Sequence, residues 1–212
     1  MHEVAPKQYL LLAGKPMIMH VVERLDAVNA IDEIIIVCDL SYEETLRQML
    51  KEYNINKQVV FVKGGDTRQE SVYNGLMAVK NENVIIHEAA RPFVKQSEFQ
   101  ALIDDEATDV IYGYSIPFTV LKGEKCVNGL LNRSELINVQ LPQKFQKSRL
   151  MEAHTIAKER GDVYTEDASM LYDILKCDIK ILKGTSYNLK ITEPIDMIVG
   201  EIIYKDYILN RG

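Results

Sequence analysis

Three short stretches of this chain carry groups suited to holding a phosphorylated ligand. Glu88-Ala89-Ala90-Arg91 sets a carboxylate and a guanidinium three residues apart with only methyl side chains between them. A carboxylate accepts from sugar hydroxyls, a guanidinium clamps phosphate through parallel hydrogen bonds, and the alanines leave room for the ligand. In Gly64-Gly65-Asp66-Thr67-Arg68-Gln69-Glu70-Ser71 two glycines precede a helix start. Such glycines let backbone approach a ligand closely, and the helix N-terminus offers N–H groups to an anion or a base edge. Lys190 stands among apolar neighbours in Asn188-Leu189-Lys190-Ile191-Thr192, either as a charge on an edge strand or as a point charge aimed at phosphate. Each stretch also has a purely structural reading: a salt-bridged turn, a tight turn needing positive φ, and a solubilising lysine.

Further candidates are single residues. Lys7, in Pro6-Lys7-Gln8-Tyr9, is a cation near the start of the chain, where most lysines are simply solvated. His87 ends an apolar run and reads equally as a satisfied core histidine. Thr119 and Arg133 have no motif of their own. The sequence has no His/Cys cluster for zinc, no G-x-S-x-G elbow and no Walker A lysine.

Short apolar strands and amphipathic helices alternate to position these groups. Pro16 opens a helix using Ile18, Val21, Val22 and Leu25, and Glu33 to Cys38 is a β-branched strand. Ser41 with Glu44 forms a capping box for a helix to about Tyr53, and Gln58 to Lys63 is a second strand. Asp66 with Gln69 repeats that capping logic ahead of Val72, Leu76 and Val79. Val84 to Phe93 contains a third strand, and Ser97 with Glu98 starts a helix through Leu102 and Ile103. After it, Ser148–Arg160 and Thr165–Leu175 are helical, with Thr165 as cap. Asp178 to Leu182 is a strand, Asn188 to Thr192 is extended, and Pro194 with Asp196 opens the last helix. Connections of two to six residues between such elements predict an α/β domain, with a mostly parallel Rossmann-like sheet and helices on both faces. All three chemistry-bearing stretches then fall at carboxyl ends of strands, where ligands bind in such sheets.

The rhythm breaks between Ser115 and Phe145, a stretch holding Pro117, Gly123, Gly129 and Pro142. It is too long for a plain loop and reads as an inserted β-arm at about 116–146, packing on a partner subunit within a single domain over 1–212.

With 212 residues, 47% hydrophobic and 26% charged, the composition is that of a soluble globular domain. A net charge of −6 excludes a general nucleic-acid footprint, no apolar run reaches the length of a membrane span, and no signal peptide is expected. Three scattered cysteines suit a reducing compartment, hence the cytoplasm.

In order and spacing, Pro6-Lys7-Gln8-Tyr9, Gly64-Gly65-Asp66-x-Arg68-x-x-Ser71, His87-Glu88-Ala89-Ala90-Arg91-Pro92, Asn132-Arg133, Pro142-Gln143, Glu166-Asp167-Ala168-Ser169 and Asn188-Leu189-Lys190-Ile191-Thr192-x-Pro194-x-Asp196 resemble the methylerythritol phosphate cytidylyltransferases of isoprenoid synthesis. The related ribitol-5-phosphate cytidylyltransferases of wall and capsule synthesis match nearly as well. The resemblance spans almost the whole chain. It implies a homodimer joined through the arm, which uses CTP, a sugar-alcohol phosphate and Mg²⁺ to make a CDP-alcohol and pyrophosphate. Carried over residue by residue, Lys7 and Lys190 stabilise charge around the α-phosphate. Gly64, Gly65, Asp66 and Ser71 hold the cytosine end of the nucleotide, Glu88 and Ala89 the ribose, and Arg91, Thr119 and Arg133 the acceptor phosphate.

The chain departs from the family pattern in four places. Met1 aligns with the methionine just after the arginine of the family's glycine-rich triphosphate loop, so that loop and the strand before it are expected to lie outside this chain. A non-catalytic nucleotide-binding or dimerisation relic is the corresponding alternative. Glu88 replaces an aspartate, Ile116-Pro117-Phe118-Thr119 stands where the methylerythritol enzymes have Arg-Asp before the threonine, and Leu141 replaces a threonine. The last two lie in the acceptor region, where the methylerythritol and ribitol branches differ.

Overall fold

Alternation of apolar side chains along the strands fixes the layers. In the computed structural model, which describes residues 6–209, strand β6 (Val110–Ser115) sends Ile111 to one face. There it packs with Val84, Phe145 and the apolar positions of helices α5 (Lys147–Arg160) and α6 (Asp167–Leu175). Val110 and Tyr112 point to the other face, against Leu102 of α4 (Gln96–Asp104). Period-two strands between helical layers produce this α/β sandwich.

The remaining elements follow in chain order. Helix α1 (Met17–Asp26) and α2 (Glu43–Glu52) cover Ile34 and Ile36 of β3 (Glu33–Cys38), and β4 (Gln58–Lys63) pairs in parallel with all six residues of β3. Helix α3 (Arg68–Ala78) crosses the opposite face so closely that a Cβ on Gly75 would lie 2.9 Å from Val37 Cγ2. Strand β5 (Asn83–Ile86) pairs antiparallel with β9 (Ile137–Gln146), which also pairs antiparallel with β6; β6 in turn holds β10 (Lys180–Lys183) in parallel. Helix α7 (Pro194–Ile203) continues as a π-helical turn over Tyr204–Leu209.

Two sheets thus lie side by side, β3-β4 and β10-β6-β9-β5. Strands β3 and β5 are edges, and among the described residues neither is hydrogen-bonded to a strand on its second side. A cavity of about 770 Å³ runs between them, lined by Ile35, Val37, Val84 and Ile85 among others.

The structure corrects several sequence expectations. The arm is narrower than 116–146: its hairpin is β7 (Leu121–Gly123) with β8 (Val127–Leu130), whereas residues 137–146 form a mostly buried strand of the main sheet. Pro142 concealed that strand, because proline within a run argues against a central strand. Here the register jumps from Ile111↔Gln143 to Tyr112↔Gln140, so Leu141 and Pro142 bulge out and no ladder bond needs the missing N–H. Strand β6 lies where the sequence pattern predicts no strand. Caps also shift. Asp39, not Ser41, caps the turn before α2, Thr67 accepts from the Glu70 N–H in place of Asp66, and Glu166 rather than Thr165 caps α6. Near the start, where no strand was expected, Leu11–Leu12 (β1) and Lys15–Pro16 (β2) pair across Ala13-Gly14, both at positive φ.

Candidate active site

Glu88 stands two residues past the end of β5, at the centre of a cationic cluster. Its Oε2 is 2.8 Å from Lys190 Nζ, its Oε1 accepts from Arg68 Nε at 3.1 Å, and Arg91 Nε lies 3.8 Å away. Arg68 also reaches Asp167 Oδ2 at 2.7 Å with its Nη2, so one guanidinium joins the start of α3 to the start of α6. Three cations thus surround two carboxylates, a formal local excess of one positive charge.

Backbone bonds hold the pieces together. The Arg91 N–H closes a turn onto Glu88 O at 2.9 Å, and the Ile191 N–H donates to Ala90 O at 2.8 Å, which seats the Lys190 loop against the Glu88 turn. Arg91 Nη1 donates to Asn188 O at 2.9 Å, and the buried Asn188 side chain donates to Leu141 O at 2.6 Å, tying that loop to the β9 bulge.

The electrostatics follow from this geometry. Burial alone raises the Glu88 carboxyl, but the Lys190 hydrogen bond and the Lys190 and Arg68 charges outweigh it and hold it below its usual range. Burial works against the charge of Arg68 too, and Asp167 and Glu88 overcome it, so that guanidinium is held more basic than usual. At Arg91 burial wins and lowers the guanidinium, with Glu88 offsetting part of the effect. His87 sets its Nε2 3.1 Å from Arg91 O, and burial pushes its imidazole down to about 4. It is neutral at neutral pH, as a core histidine should be.

The Gly64 loop sits at the end of β4, tied to the end of β3 by a 2.9 Å bond from the Gly64 N–H to Cys38 O. Its amides are satisfied from within: Gly65 N–H donates to Ser71 Oγ at 3.0 Å and Asp66 N–H to Glu70 Oε2 at 2.9 Å. Neither Gly64 nor Gly65 has positive φ. The requirement at Gly65 is space, since a Cβ there would lie 2.3 Å from Glu70 Cγ. The Asp66 carboxylate remains on the exposed side.

Lys7 lies in a 3-10 turn over Lys7–Tyr9, exposed. The Asp196 carboxyl is held low by the Glu193 and Thr192 N–H groups and the Thr192 hydroxyl, with a contribution from Lys7, which therefore approaches the segment just beyond Lys190. Thr119 and Arg133 are exposed in the arm, and Arg133 Nη1 donates to Pro117 O at 3.1 Å. Arg133 lines a separate open depression with Ser115, Ile116 and Asn132. Lys190, Glu88, Ala89 and Arg91 thus come together with Arg68, while Thr119 and Arg133 stand apart.

Sequence reasoning assigns no role to Arg68 or Asp167, which the structure pairs at 2.7 Å. The signal was present: an arginine two residues past Gly-Gly-Asp, and an acidic pair opening a helix.

Among the described residues no group of three or more His, Cys, Asp or Glu side chains could hold a metal ion. Glu88 and Asp167 are already paired with cations, so this donor set does not fit a protein-held Mg²⁺.

Comparison with known proteins shows the family. The family model described as IspD, 2-C-methyl-D-erythritol 4-phosphate cytidylyltransferase, matches residues 1–206. A protein of that name from Geobacillus thermodenitrificans is 39% identical over 204 residues, covering 93% of this chain and 88% of the relative. One from Geobacillus kaustophilus is 37% identical over the same shares. Among solved structures, the 4-diphosphocytidyl-2C-methyl-D-erythritol synthase of Anaerococcus prevotii superposes with a TM-score of 0.85 at 26% identity, covering 94% of this chain and 90% of that one. The Thermus thermophilus cytidylyltransferase gives a TM-score of 0.79 at 24% identity over 95% of each chain, a likeness of fold. Motifs in order, fold and matched family model converge, and this chain belongs to the 2-C-methyl-D-erythritol 4-phosphate cytidylyltransferase family.

Proposed function

We propose that this chain transfers CMP from CTP to 2-C-methyl-D-erythritol 4-phosphate, releasing pyrophosphate. The observation that supports it best is the Glu88–Lys190 contact of 2.8 Å beside Arg68 and Arg91. It offers one carboxylate to sugar hydroxyls and several cations to phosphates at one mouth. An acceptor phosphate oxygen attacks the α-phosphorus in line. The new O–P bond forms as the bond to the bridging oxygen breaks, and that electron pair leaves with pyrophosphate. Catalysis of such a step is positioning and charge neutralisation. Lys190 and Lys7 neutralise charge at the α-phosphate. Gly64, Gly65, Asp66 and Ser71 hold the cytosine end, Glu88 and Ala89 the ribose, and Arg91, Thr119 and Arg133 the acceptor phosphate.

The distance of the two arm residues from the cluster fits a homodimer in which one protomer's arm serves its partner. Mg²⁺ belongs with the triphosphate, since it keeps waters and binds through substrate phosphates with few protein ligands. Three free cysteines, Cys38, Cys126 and Cys177, fit the cytoplasm. The test is pyrophosphate release from CTP with 2-C-methyl-D-erythritol 4-phosphate or ribitol 5-phosphate as acceptor. Release with the first supports the reading, release only with the second changes the acceptor, and release with neither overturns it.

A further inference from the structure

The loop that presents Lys190 to Glu88 is rooted in a buried amide. Asn188 is 1% exposed, and its Nδ2 donates to Leu141 O at 2.6 Å. That carbonyl can accept because Leu141 is paired in neither ladder of β9. The register with β5 ends at Ile86↔Gln143, and the register with β6 jumps from Gln143 to Gln140. Bulges of this kind re-aim groups beside active sites. Asn188 Oδ1 is buried without a hydrogen-bond partner, so the bond to Leu141 alone sets the orientation of the side chain.

The main chain around Asn188 is gripped from the same strand. Gln140, itself buried, donates from Nε2 to Thr185 O at 2.7 Å and to Asn188 O at 3.3 Å. Its Oε1 accepts from the Thr185 N–H at 3.1 Å, which closes the grip. Two groups of the candidate site depend on this one point. Among the described residues the Arg91 guanidinium makes a single hydrogen bond, from Nη1 to Asn188 O at 2.9 Å, while Glu88 lies 3.8 Å from its Nε. Further along the loop Lys190 Nζ meets Glu88 Oε2 at 2.8 Å, and the Ile191 N–H donates to Ala90 O at 2.8 Å.

We infer that Asn188, seated by Gln140 and the Leu141 carbonyl, is the positioning residue for both Lys190 and Arg91. The role rests on the cytidylyl-transfer reading above, in which Lys190 serves the α-phosphate and Arg91 the acceptor phosphate. Asn188 acts through those two side chains and touches neither phosphate itself. An asparagine suits the place because its amide donates to the bulge carbonyl, whereas an ionised aspartate has no donor and an alanine leaves that carbonyl unpaired. Where catalysis is alignment of charges, a residue that sets the alignment controls rate.

The test is a double-variant cycle on the full chain, read by pyrophosphate release from CTP with 2-C-methyl-D-erythritol 4-phosphate and by amide hydrogen exchange. Asn188→Ala should lower kcat by roughly tenfold to a hundredfold and raise the acceptor KM several-fold, while KM for CTP moves less than about twofold. In a Lys190→Ala background the same substitution should cost less than about threefold in kcat, because the lysine it aligns is already gone. The acceptor KM effect, carried by Arg91, should persist there. Equal kcat losses in both backgrounds are what a merely structural residue produces through a smaller folded fraction, and they would overturn the proposal. Exchange at the Leu189 and Ile191 amides should quicken by roughly tenfold in Asn188→Ala, with the β6 amides unchanged. Gln140→Met keeps the side-chain length without the amide and should shift the same readouts in the same direction, which preserves the test if Asn188→Ala does not fold. Loop exchange unchanged in both variants would also overturn the proposal. Exchange is read without turnover, so a parent that releases no pyrophosphate sinks the catalytic reading and leaves exchange to decide the seating.

Discussion

Lys190 Nζ sits 2.8 Å from Glu88 Oε2, so the cation proposed for the α-phosphate is held in place by the carboxylate proposed for the ribose. The lysine side chain is 38% exposed, and a pair of that kind contributes about 1 kcal/mol or less to folding. Lys190→Ala should therefore lower kcat by roughly 10²–10³, as loss of one transition-state donor does, while shifting Tm by only a few degrees. Stopped-flow turnover and calorimetry on the same preparation check this. Parallel losses in both would make Lys190 a structural residue.

Glu88 is the more deeply placed partner, with Arg68, Lys190 and Arg91 around it. Glu88→Gln leaves Lys190 and Arg91 without their carboxylate and Arg68 with Asp167 alone, and should destabilise the fold by about 2–3 kcal/mol. The folded carboxyl is depressed, so its contribution is complete above the unfolded value of about 4.3 and is lost as pH falls through the lower folded value. Urea denaturation below pH 5 should show a steeper acid loss in the parent than in Glu88→Gln. Identical pH profiles would show that the cluster does not hold Glu88 ionised.

Much of the fold was legible because its strands are short, β-branched and sharply bounded, as at Glu33–Cys38 and Gln58–Lys63, where expectation and structure coincide. What escaped was non-local. Ile137–Gln146 is a central strand only because a bulge absorbs Pro142, and nothing in local pattern announces a bulge. The Glu88–Arg91 and Gly64–Ser71 stretches were visible as chemistry, yet the bridge from Arg68 to Asp167 spans 99 residues and carries no short-range signal. The free edges of β3 and β5 are likewise defined by which of the described strands fail to pair.

His20 and His87 make acid sensitivity a property of the core. Burial pushes both imidazoles from 6.5 down to about 4, while His20 Nε2 lies 2.8 Å from Leu12 O. Both rings are neutral when folded and protonate more readily when unfolded. Their contribution is thus whole above about pH 6.5 and drains as pH falls towards 4, by roughly 3 kcal/mol for each ring at most. Urea midpoints at pH 7, 6 and 5 should fall with the slope of about two extra protons from these rings, to which the likewise lowered His154 adds, and His87→Phe should remove about one of them. A slope unchanged by that substitution would show that His87 is not buried in neutral form.

Arg68 and Asp167 should behave as a coupled pair. Asp167 is 2% exposed, so Arg68→Met strands its carboxylate away from water and should cost about 3 kcal/mol. Adding Asp167→Asn removes the stranded charge and should restore at least about 1 kcal/mol of that loss. Urea midpoints of the two single variants, the double variant and the parent close the cycle. A double variant less stable than Arg68→Met would contradict a direct pairing and point to independent packing roles.

The β7-β8 hairpin has no buried side chain, and it leaves Val127 65% and Leu130 84% exposed. A two-stranded hairpin alone is marginal in water, so its order and its apolar surface are both accounted for if a second protomer covers it. Replacing residues 121–130 with a short glycine linker should then convert a dimer into a monomer by light scattering. Urea stability of the remaining domain should be nearly unchanged, since none of the deleted side chains contributes to its core. Turnover should fall at the same time, because the proposed acceptor contacts of Thr119 and Arg133 would lose the partner site they serve. A variant that stays dimeric would place the interface elsewhere, and one that is monomeric but fully active would remove the arm from acceptor binding.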